Sequence, residues 1–588
     1  MLRLSDTEAN SYIQKRILWT RIFIIFLFFI LFIRLWYLQI IKGQEYRIRS
    51  KNNRIRLREI PAFRGKILDR NGAVLVDNKP SYNLYIVPEE VNDLRLVLKR
   101  LSSIVSFDLG HVEEMVLRMK RKCPFKPVCV KRDISFDEVA RIETNKLVLP
   151  GILIRVDGKR DYVYRKFACH VLGYVSWNEK GIAGIERRWD KILSGVPGGM
   201  QIEVDATGRI IRVISKRLPI PGCDVYLTID KRLQQKAEKL LEGKKGAIVA
   251  INPMNGEVLA MASSPSFDPN RFVKGMDKKT WKEIINSKDS PLQNRAINGL
   301  YPAGSLFKVI VAIAALQEGI INKDTTFICT GRFPYGNRIY KCWKKGGHGR
   351  VDLYKAIKES CDVYFYHLGK KLGVKKMAYY AKMFGLGEKT GLDLGNESKG
   401  LVPTAEWKMK RFGVPWQGGE NLSLAIGQSF LLVTPIQMAV VYSALFNGGI
   451  LYKPAVTKAI RTVDGKVVYS FKPRIKRRLK IKKEYISLIK KALIAVVNEP
   501  GGTGRKARIE GITVAGKTGT VQLVEDSKEK DIKEHAWFVG IAPAEKPRIC
   551  VAVIIEHGGH GGSAAAPIAR VLIEEYLKDV RQKTYSKF

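Results

Sequence analysis

The feature that most constrains the fold of this chain is a long apolar segment near its N-terminus. Residues Ile17 to Ile41 read ILWTRIFIIFLFFILFIRLWYLQII, and their only charged side chains are Arg21 and Arg34. As a helix, this segment crosses a hydrocarbon core of ~30 Å if both arginines extend to the interfaces. Because no small-residue cleavage site follows the apolar run, we expect an uncleaved transmembrane anchor over residues 17–41, not a signal peptide.

The charges around this segment predict an orientation of their own. Four Lys or Arg lie between Met1 and Arg21, and seven lie between Lys42 and Arg58. The positive-inside rule would then place the large domains in the cytoplasm, although the rule weakens for long translocated domains. The formal net charge of +46 favours an anionic neighbour, such as a membrane surface or an anionic polymer, unless it reflects a basic bias of the whole proteome. No motif indicates nucleic-acid binding.

The rest of the chain is patterned as two globular regions, and its 46% hydrophobic content excludes a disordered chain. Residues 42–222 mix short strand and helix patterns and hold no cluster of reactive side chains, which predicts a mixed α/β pedestal. Residues 223–578 carry apolar strands and a helix at both ends and contain a mostly helical insert from about residue 300 to 450. This order predicts an α+β domain with an antiparallel sheet and an all-helical subdomain. Residues 579–588 are expected to form a basic tail.

The first candidate catalytic motif lies in YPAGSLFKVIVAIAAL, residues Tyr301 to Leu316. The pattern places Ser305 at the start of a helix, where free N–H groups favour a developing negative charge. Lys308 follows one turn later on the same face, so its amine can accept the serine proton. Alone this motif is weak, because an N-cap serine and a snorkelling lysine give the same spacing.

Two further motifs follow in order along the chain. Ser360 and Asp362 flank Cys361, and an extended or turn-like segment would point the two flanking side chains one way and the cysteine the other. The stretch VAGKTGTVQ comes after a predicted strand and contains the third motif, formed by Lys517, Thr518, Gly519 and Thr520. The three motifs in this order are the set known from penicillin-binding proteins and serine β-lactamases.

The likeness extends well beyond these motifs. The chain resembles class B penicillin-binding proteins, most closely their elongation type, the penicillin-binding protein 2 group, from the anchor to about residue 577. We find no glycosyltransferase domain, which fits class B and not class A. The stretches that carry the resemblance are RLWYLQIIKGQEY, RGKILDRNG, AGIERRWD, NRAINGLYPAGSLFK, HAWFVGIAP and GGHGGSAAAPIAR.

The resemblance implies a peptidoglycan D,D-transpeptidase that also binds β-lactams covalently. The serine would attack the penultimate D-Ala carbonyl of a stem peptide, release the terminal D-Ala and pass the acyl group to an amine on a neighbouring stem. The implied roles are nucleophile for Ser305, base for Lys308, oxyanion-hole N–H groups for Ser305 and Thr520, carboxylate binding for Lys517 and Thr518, close backbone approach for Gly519, and proton relay for Ser360. Asp362 departs from the Asn of many relatives, is shared with the elongation type, and could pair with the Lys308 ammonium.

The resemblance also implies a location and partners. It implies a cytoplasmic tail over residues 1–16, a single-pass anchor in the inner (plasma) membrane, a dimerisation-type pedestal and a transpeptidase domain in the periplasm, which overrules the charge count. The implied partners are stem peptides ending in D-Ala-D-Ala, a RodA-type glycosyltransferase and other elongation-complex proteins, with no nucleic acid. The alternatives are a division-type transpeptidase, a D,D-carboxypeptidase or β-lactamase, and a β-lactam sensor.

A cluster of soft ligands surrounds the second motif. Cys329, Cys342, His348 and Cys361 fall within 33 residues, where uniform scatter of the chain's Cys and His would place about 0.8. Three cysteines and one histidine form a complete structural Zn²⁺ set, and the neighbouring glycines allow a tight ligand loop. The alternatives are a disulfide between two of the cysteines or buried free thiols. The resembled group carries a metal site in this region, often with aspartates at the first two positions.

The remaining cysteines and histidines have simpler expected roles. CPFKPVC, from Cys123 to Cys129, is a candidate for a small disulfide loop, and two unbridged cysteines are the alternative. EHGGHGG, with His557 and His560, is expected to be a Gly-rich loop near the site without a ligand role. Core or structural positions are expected for Cys169, Cys223, Cys550, His367 and His535.

Overall fold

The computed structural model describes residues 6–47, 55–204, 210–273, 275, 278–521 and 533–585. Its first helix, α1, runs from Asp6 to Trp36 and continues as a π-helical turn to Ile41. Within it, the 29 residues Ile13–Ile41 are long and apolar enough to cross a membrane, and they are the only such segment in the described part of the chain. Helix α1 thus extends through most of the predicted tail, of which residues 1–5 lie outside the described residues.

The strands alternate with helices along the chain as follows. In chain order the strands are β1 (Ile55–Ile60), β2 (Ile67–Leu68), β3 (Val74–Ile86), β4 (Val128–Lys131), β5 (Ile152–Tyr162), β6 (Gly198–Val204), β7 (Ile210–Arg217), β8 (Asp224–Leu227), β9 (Gly246–Ile251), β10 (Val258–Ser264), β11 (Phe327–Cys329), β12 (Arg332–Tyr335), β13 (Arg338–Lys341), β14 (Gly349–Val351), β15 (Ile450–Tyr452), β16 (Thr457–Arg461), β17 (Val467–Ser470), β18 (Ile475–Arg478), β19 (Ala515–Val521), β20 (His535–Ala542) and β21 (Ile549–Ile555).

The helices that follow α1 are short in the first third of the chain and longer beyond it. They are α2 (Leu94–Ser102), α3 (Leu109–Lys122), α4 (Phe136–Thr144), α5 (Cys169–Leu172), α6 (Gly184–Arg188), α7 (Asp190–Leu193), α8 (Lys231–Leu240), α9 (Asn270–Val273), α10 (Lys278–Ile285), α11 (Arg295–Asn298), α12 (Lys308–Gln317), α13 (Leu353–Lys358), α14 (Asp362–Met383), α15 (Ala405–Phe412), α16 (Gly418–Ala425), α17 (Pro435–Phe446), α18 (Lys483–Asn498), α19 (Gly561–Ala564) and α20 (Ala566–Tyr585). Helix α20 runs into the predicted basic tail, whose last three residues lie outside the described chain.

The chain divides into two compact units that do not follow one linear boundary. The first unit consists of Met1–Ala62, Asn83–Arg155 and Val196–Ile220, and the second of Phe63–Tyr82, Val156–Gly195 and Pro221–Phe588. The sequence predicted a single division between residues 222 and 223. Two segments of the predicted pedestal therefore cluster with the C-terminal part, because strand pairing over long sequence separations leaves no local signal.

The first unit contains an antiparallel sheet and several capped helices. Strands β1, β6 and β7 pair in the order β1-β6-β7, and the ends of β3 and β4 pair with each other in the same unit. Asp93 and Asp108 cap helices α2 and α3 by accepting hydrogen bonds from backbone N–H groups of the first turn. Ser135 and Glu138 form a reciprocal capping box at α4. Local sequence signals thus set most of this unit's elements.

The second unit is organised around a five-stranded antiparallel sheet of order β10-β9-β21-β20-β19. Every residue of β9, β20 and β21 is buried, so both faces of the sheet are covered. The continuous apolar runs GAIVAI and ICVAVII are what such double coverage requires, because an alternating strand would bury polar groups. This sheet and the helical subdomain confirm the α+β prediction.

The helical subdomain contains small strands that the sequence did not predict. Strand β11 pairs with β14, and β12 pairs with β13, both antiparallel. These two short ladders occupy residues 327–351, directly before α13. They position the loops that carry most of the predicted metal ligands.

A buried ion cluster lies elsewhere in the second unit. Glu186 is fully buried, and its two carboxylate oxygens accept from Arg64 Nε and Arg160 Nε, each at 2.7 Å. The second guanidinium nitrogen of Arg64 also lies 2.8 Å from Asp190. Tyr162 donates to Glu186 at 3.4 Å, and burial raises the pKa of its hydroxyl well above the ordinary value. Two arginines and two acids are therefore paired in one mostly buried cluster.

Candidate active site

Ser305 lies in a 3₁₀ turn, Gly304–Leu306, that precedes helix α12. The α-helix begins only at Lys308, three residues later than the sequence predicted, and Gly304 adopts the left-handed conformation with φ 55°. The Gly304 N–H donates to Gly427 O at 2.8 Å, and a Cβ on Gly427 would stand 2.1 Å from Gly304 O. Ser305 is only partly buried between two buried neighbours. A tightly packed turn thus leaves Ser305 partly exposed.

Strand β19, which carries the Lys-Thr-Gly-Thr motif, runs beside this turn. A Cβ on Gly304 would stand 3.2 Å from Thr520 O, and one on Gly519 would stand 3.4 Å from Ala303 O. The indole of Trp537, on the neighbouring strand β20, donates to Pro302 O at 3.2 Å. The two segments whose N–H groups were predicted to form the oxyanion hole therefore adjoin. Gly519 lies in this contact, where a Cβ would stand 3.0 Å from the Cβ of Trp537.

Lys308 is completely buried at the start of α12, and the second motif provides its polar contacts. Its Nζ lies 2.7 Å from Asp362 Oδ1, 2.9 Å from Ser360 O and 3.3 Å from Ser360 Oγ. The predicted pairing of this amine with the carboxylate is therefore present. Burial without such partners would strongly disfavour a charged amine.

Lys517 is the second buried amine, and it shares a hydrogen-bond partner, the Ser360 hydroxyl, with Lys308. Its Nζ donates to Ser360 Oγ at 2.9 Å and to Thr518 O at 3.1 Å. Burial, and then the positive charge of Lys308, hold the pKa of Lys517 well below its ordinary value, although Asp362 acts against this. The Ser360 hydroxyl thus bridges two amines, which is the arrangement a proton relay requires.

The turn between α13 and α14 places Ser360 and Asp362 on one side and Cys361 on the other. Ser360 adopts the left-handed conformation with φ 57°, which is uncommon for a residue with a side chain. The side chains of Ser360 and Asp362 face the two lysines, whereas Cys361 is fully buried among the other soft ligands. The predicted division of the three side chains is therefore present, in the turn-like form of this segment.

The predicted metal ligands come together as one buried cluster. The ligand atoms of Cys329, Cys342, His348 and Cys361 all lie within 4.8 Å of one another. His348 Nδ1 stands 3.5 Å from Cys329 Sγ and 3.6 Å from Cys342 Sγ. A sulfur and a nitrogen on one tetrahedral zinc ion are about 3.6 Å apart, from bonds of about 2.3 and 2.0 Å. The cysteines form no disulfide, so the donor set and its spacing fit Zn²⁺.

Two glycines allow the ligand loops to cross. A Cβ on Gly347, with φ 73°, would stand 2.1 Å from Cys329 O, and one on Gly331, with φ 87°, would stand 2.3 Å from Lys345 O. The His348 N–H donates to Cys329 O at 3.0 Å across this crossing. Only a backbone without side chains can approach this closely, and that approach brings the first ligand beside the histidine.

Sequence reasoning missed two side chains that contact the predicted site residues. Thr503 Oγ1 lies 2.8 Å from Thr518 Oγ1, and no motif marks it. Trp343 follows Cys342 directly, and its backbone N–H donates to Asp362 Oδ2 at 2.9 Å. Its indole Nε1 lies 3.0 Å from Glu359 O and 3.1 Å from Ser360 O. An aromatic residue beside a ligand in a Gly-rich loop was the one available signal.

The other predicted positions are distributed as follows. The Gly-rich loop lies near β19, since Gly561 N–H donates to Thr520 Oγ1 at 3.4 Å, while His557 and His560 are not in the ligand cluster. Cys169 and Cys550 are buried core residues, but Cys223 is only partly buried. Cys123 and Cys129, both among the described residues, are not joined by a disulfide. His535 is buried and accepts from the His557 N–H at 3.1 Å, while His367 stacks on Phe327.

Two protein families match the chain over separate stretches. The family described as the penicillin binding protein transpeptidase domain matches residues 246–574. The family described as the penicillin-binding protein dimerisation domain matches residues 59–227. Together they cover both regions that the sequence analysis distinguished.

Proteins of similar length give the same result. The peptidoglycan D,D-transpeptidase MrdA of Haemophilus influenzae is 35% identical over 610 residues, which cover 98% of this chain and 93% of that protein. Penicillin-binding protein 2 of Helicobacter pylori, solved in complex with MreC, has a TM-score of 0.77 at 30% identity and covers 88% of this chain and 99% of its own. A structure on the coordination of polymerization and crosslinking by a peptidoglycan synthase complex has a TM-score of 0.70 at 31% identity, covering 95% of this chain and 97% of its own. The predicted resemblance is confirmed, and the chain belongs to the penicillin-binding protein transpeptidase family, in the group of penicillin-binding protein 2.

Proposed function

We propose that this protein is a peptidoglycan D,D-transpeptidase of the elongation type, which cross-links stem peptides through an acyl-enzyme on Ser305. The observation that carries the proposal is the position of Ser305. Its partly exposed hydroxyl stands on a rigid turn beside the Lys-Thr-Gly-Thr strand, ahead of a helix that begins with a buried lysine. This placement supports the roles of Ser305 as nucleophile, of Lys308 as base and of backbone N–H groups as oxyanion donors.

In the acylation step, Ser305 Oγ bonds to the penultimate D-Ala carbonyl carbon while its proton passes to Nζ of Lys308, the proposed base. The carbonyl oxygen becomes an oxyanion, and the N–H groups of Ser305 and Thr520 stabilise it. Asp362, 2.7 Å away, stabilises the ammonium that Lys308 has become. When the intermediate collapses, the C–N bond to the terminal D-Ala breaks, and Ser360 relays a proton to the departing amine. Lys517 and Thr518 hold the terminal carboxylate in these steps.

Labelling with a fluorescent penicillin tests this assignment, because a β-lactam acylates the same serine. We expect one label per chain on the wild type and none on Ser305→Ala. Ser102→Ala is a matched control, since Ser102 is a partly buried serine, as Ser305 is, on α2 in the first unit. An unlabelled wild type, or equal labelling of Ser305→Ala, would refute the proposed activity.

We further propose that the donor set Cys329, Cys342, His348 and Cys361 holds one structural Zn²⁺. The buried position, the absence of disulfides among these cysteines and the 3.5–3.6 Å sulfur–nitrogen spacings support this choice. A bound zinc would tie together the two crossing loops and the turn after α13. We expect about one zinc per chain by elemental analysis and much less in Cys329→Ser. A metal-free wild type that acylates at full rate would contradict the proposal.

The third part of the proposal concerns the membrane and the partners. We propose that residues 17–41 anchor the protein in the plasma membrane with the catalytic unit outside, where it works with a RodA-type glycosyltransferase. The apolar, unburied helix supports the anchor, and the MreC complex and the synthase complex of related proteins support the partnership. Exposed Cys123 allows a direct test with a membrane-impermeant maleimide. Labelling in intact spheroplasts, lost in Cys123→Ser, is expected; labelling only after lysis would reverse the orientation.

If the anchor is the contact with the glycosyltransferase, deleting residues 1–41 must abolish co-purification. The test compares this deletion with a chain whose anchor is replaced by an unrelated transmembrane helix, so that membrane attachment is kept. We expect both chains to lose the partner. Retention by the chain with the unrelated helix would place the contact in the globular units.

A further inference from the structure

Trp343 joins the predicted metal ligands to the second catalytic motif. It follows the ligand Cys342 in the chain, and its ring lies 5.5 Å from the ring of His348. Its polar groups, however, point to the turn after α13, where the backbone N–H meets Asp362 Oδ2 at 2.9 Å. The indole Nε1 lies 3.1 Å from the carbonyl oxygen of Ser360. One residue therefore contacts both members of the motif that flank Cys361.

These contacts complete the hydrogen bonding of a turn that is costly to form. Ser360 is in the left-handed conformation, which persists only where surrounding contacts enforce it. Its carbonyl oxygen accepts from the indole of Trp343 and from Lys308 Nζ, the latter at 2.9 Å. The two oxygens of Asp362 are divided in the same way, one on Lys308 and one on the Trp343 N–H. Without the indole, the Ser360 carbonyl oxygen would keep the hydrogen bond from Lys308 Nζ but lose the one from Trp343.

The side chain of Trp343 does not owe its position to burial. It is 59% exposed, so its hydrogen bonds to the turn do more to fix it than packing does. The exposed face also lies near the catalytic motif, which raises the question of whether the ring contacts substrate or orients the turn. We favour orientation of the turn, because the indole and the proposed base Lys308 donate hydrogen bonds to the same acceptor, the carbonyl oxygen of Ser360.

We propose that Trp343 is a positioning residue for acylation: its indole holds the Ser360–Asp362 turn so that Lys308 is oriented toward Ser305. The proposal rests on the proposed transpeptidase function and deepens it. It makes Trp343 the connection through which the ligand loop acts on the acylation step, in addition to the peptide link through Cys361. Such a residue changes the rate of the chemical step and not the affinity for the noncovalent β-lactam complex.

The test is pre-steady-state acylation of the full chain in detergent micelles by a fluorescent penicillin, with the acylation rate constant separated from the noncovalent dissociation constant. For Trp343→Phe we expect the rate constant to fall about tenfold, the effect of losing one well-placed hydrogen bond, with the dissociation constant unchanged within about twofold. Zinc content and the thermal midpoint are measured on the same sample. Trp189→Phe is the matched control, because it also removes one indole hydrogen bond, to Thr457 Oγ1 at 3.0 Å, without touching the motif.

Each outcome either supports or overturns the inference. An unchanged acylation rate overturns it, and so does weaker noncovalent binding at an unchanged rate, which would make Trp343 a substrate contact. Loss of zinc from the variant also overturns it, since slow acylation would then follow from the metal. If Trp343→Phe does not fold, 3-benzothienylalanine in place of Trp343 keeps the ring size and removes only the donor. A wild type that takes no penicillin would instead refute the proposed function.

Discussion

The second unit contains two buried clusters of charge, and they are balanced in opposite ways. Around Glu186, two arginines meet a carboxylate that each of them contacts at 2.7 Å, and Asp190 adds a second acid. Around Ser360, two lysines share one carboxylate, Asp362, and one hydroxyl. The first cluster pairs every buried cation with an acid, whereas the second leaves more amines than acids.

The difference shows how burial can serve either structure or chemistry. Arginine keeps its charge at every ordinary pH, so an arginine paired with an acid stabilises the fold but does not take up or release a proton. A buried lysine can lose its proton, and an unbalanced pair of lysines makes that loss favourable for one of them. The pKa of Lys517 is accordingly held well below its ordinary value by burial and by Lys308. The unbalanced cluster is the one that can move protons.

The largest expected effect comes from removing an amine of the unbalanced cluster. Lys308→Met keeps the length and apolar surroundings of the side chain but removes the proposed base. We expect the rate of penicillin acylation to fall by about 10²–10⁴, and the thermal midpoint to fall as well, because buried Asp362 loses its ion-pair partner 2.7 Å away. Stopped-flow labelling and thermal unfolding of one sample measure both. Equal acylation by the variant would assign the base to another group.

Glu186→Gln is the corresponding change in the balanced cluster, and it should affect stability instead. It leaves Arg64 and Arg160 buried with their shared charge partner removed, which costs about 3–5 kcal/mol of unfolding free energy. The acylation rate per folded molecule should stay close to wild type. Denaturant unfolding measures the first quantity and labelling of the folded fraction the second. The comparison fails if Glu186→Gln slows acylation while leaving stability unchanged.

Cys361→Ser sharpens the comparison by disturbing the unbalanced cluster from outside. The cysteine faces the ligand cluster while its two neighbours face the lysines, so the change touches no reacting group. We expect acylation to slow by about 10–100-fold together with loss of zinc. Cys169→Ser, at a buried cysteine outside the ligand cluster, is the control and should retain zinc. Normal acylation by a zinc-free Cys361→Ser protein would separate the metal from the chemistry.

The smallest expected effect is a change in how stability depends on pH. The pKa of Lys517 is lowered in the folded chain, whereas in the unfolded chain it stays near about 10.4. At pH values between these two pKa values, the unfolded chain holds a proton that the folded chain lacks. Unfolding free energy attributable to this lysine therefore rises with pH across that window, by at most about 1.4 kcal/mol per pH unit. Lys517→Met should lose this slope in the range just below about pH 10.4. Parallel pH profiles for the two proteins would contradict the shifted pKa.

Sequence reasoning found the groups of the unbalanced cluster but not those of the balanced one. Ser305, Lys308, Ser360 and the Lys-Thr-Gly-Thr strand stand in short motifs, and the ligand set is dense along the chain. Glu186 meets partners 122 and 26 residues away. No local pattern marks such partners, because only the folded strands bring them together. For the same reason, no local pattern predicted the discontinuous boundaries of the two units or the contact of Thr503 with Thr518.

The geometry of Ser305 shows a second kind of limit. The motif predicted a helix starting at the serine, but the left-handed Gly304 inserts a 3₁₀ turn before α12. The constraint is tertiary, since Gly427 leaves room for the turn and accepts its N–H. Trp343 was missed because an aromatic side chain in a glycine-rich loop has no single expected role.

The crossing of the ligand loops at Gly331 and Gly347 has a consequence for how this site can evolve. Donor side chains reach the centre of the cluster through flexible bonds, so one donor can replace another while the loops stay in place. The two glycines have no such freedom, because any Cβ would collide with backbone at 2.1–2.3 Å. In descendants of this chain, the glycines should therefore outlast the cysteines, and their loss should mark the lineages in which the site has been abandoned.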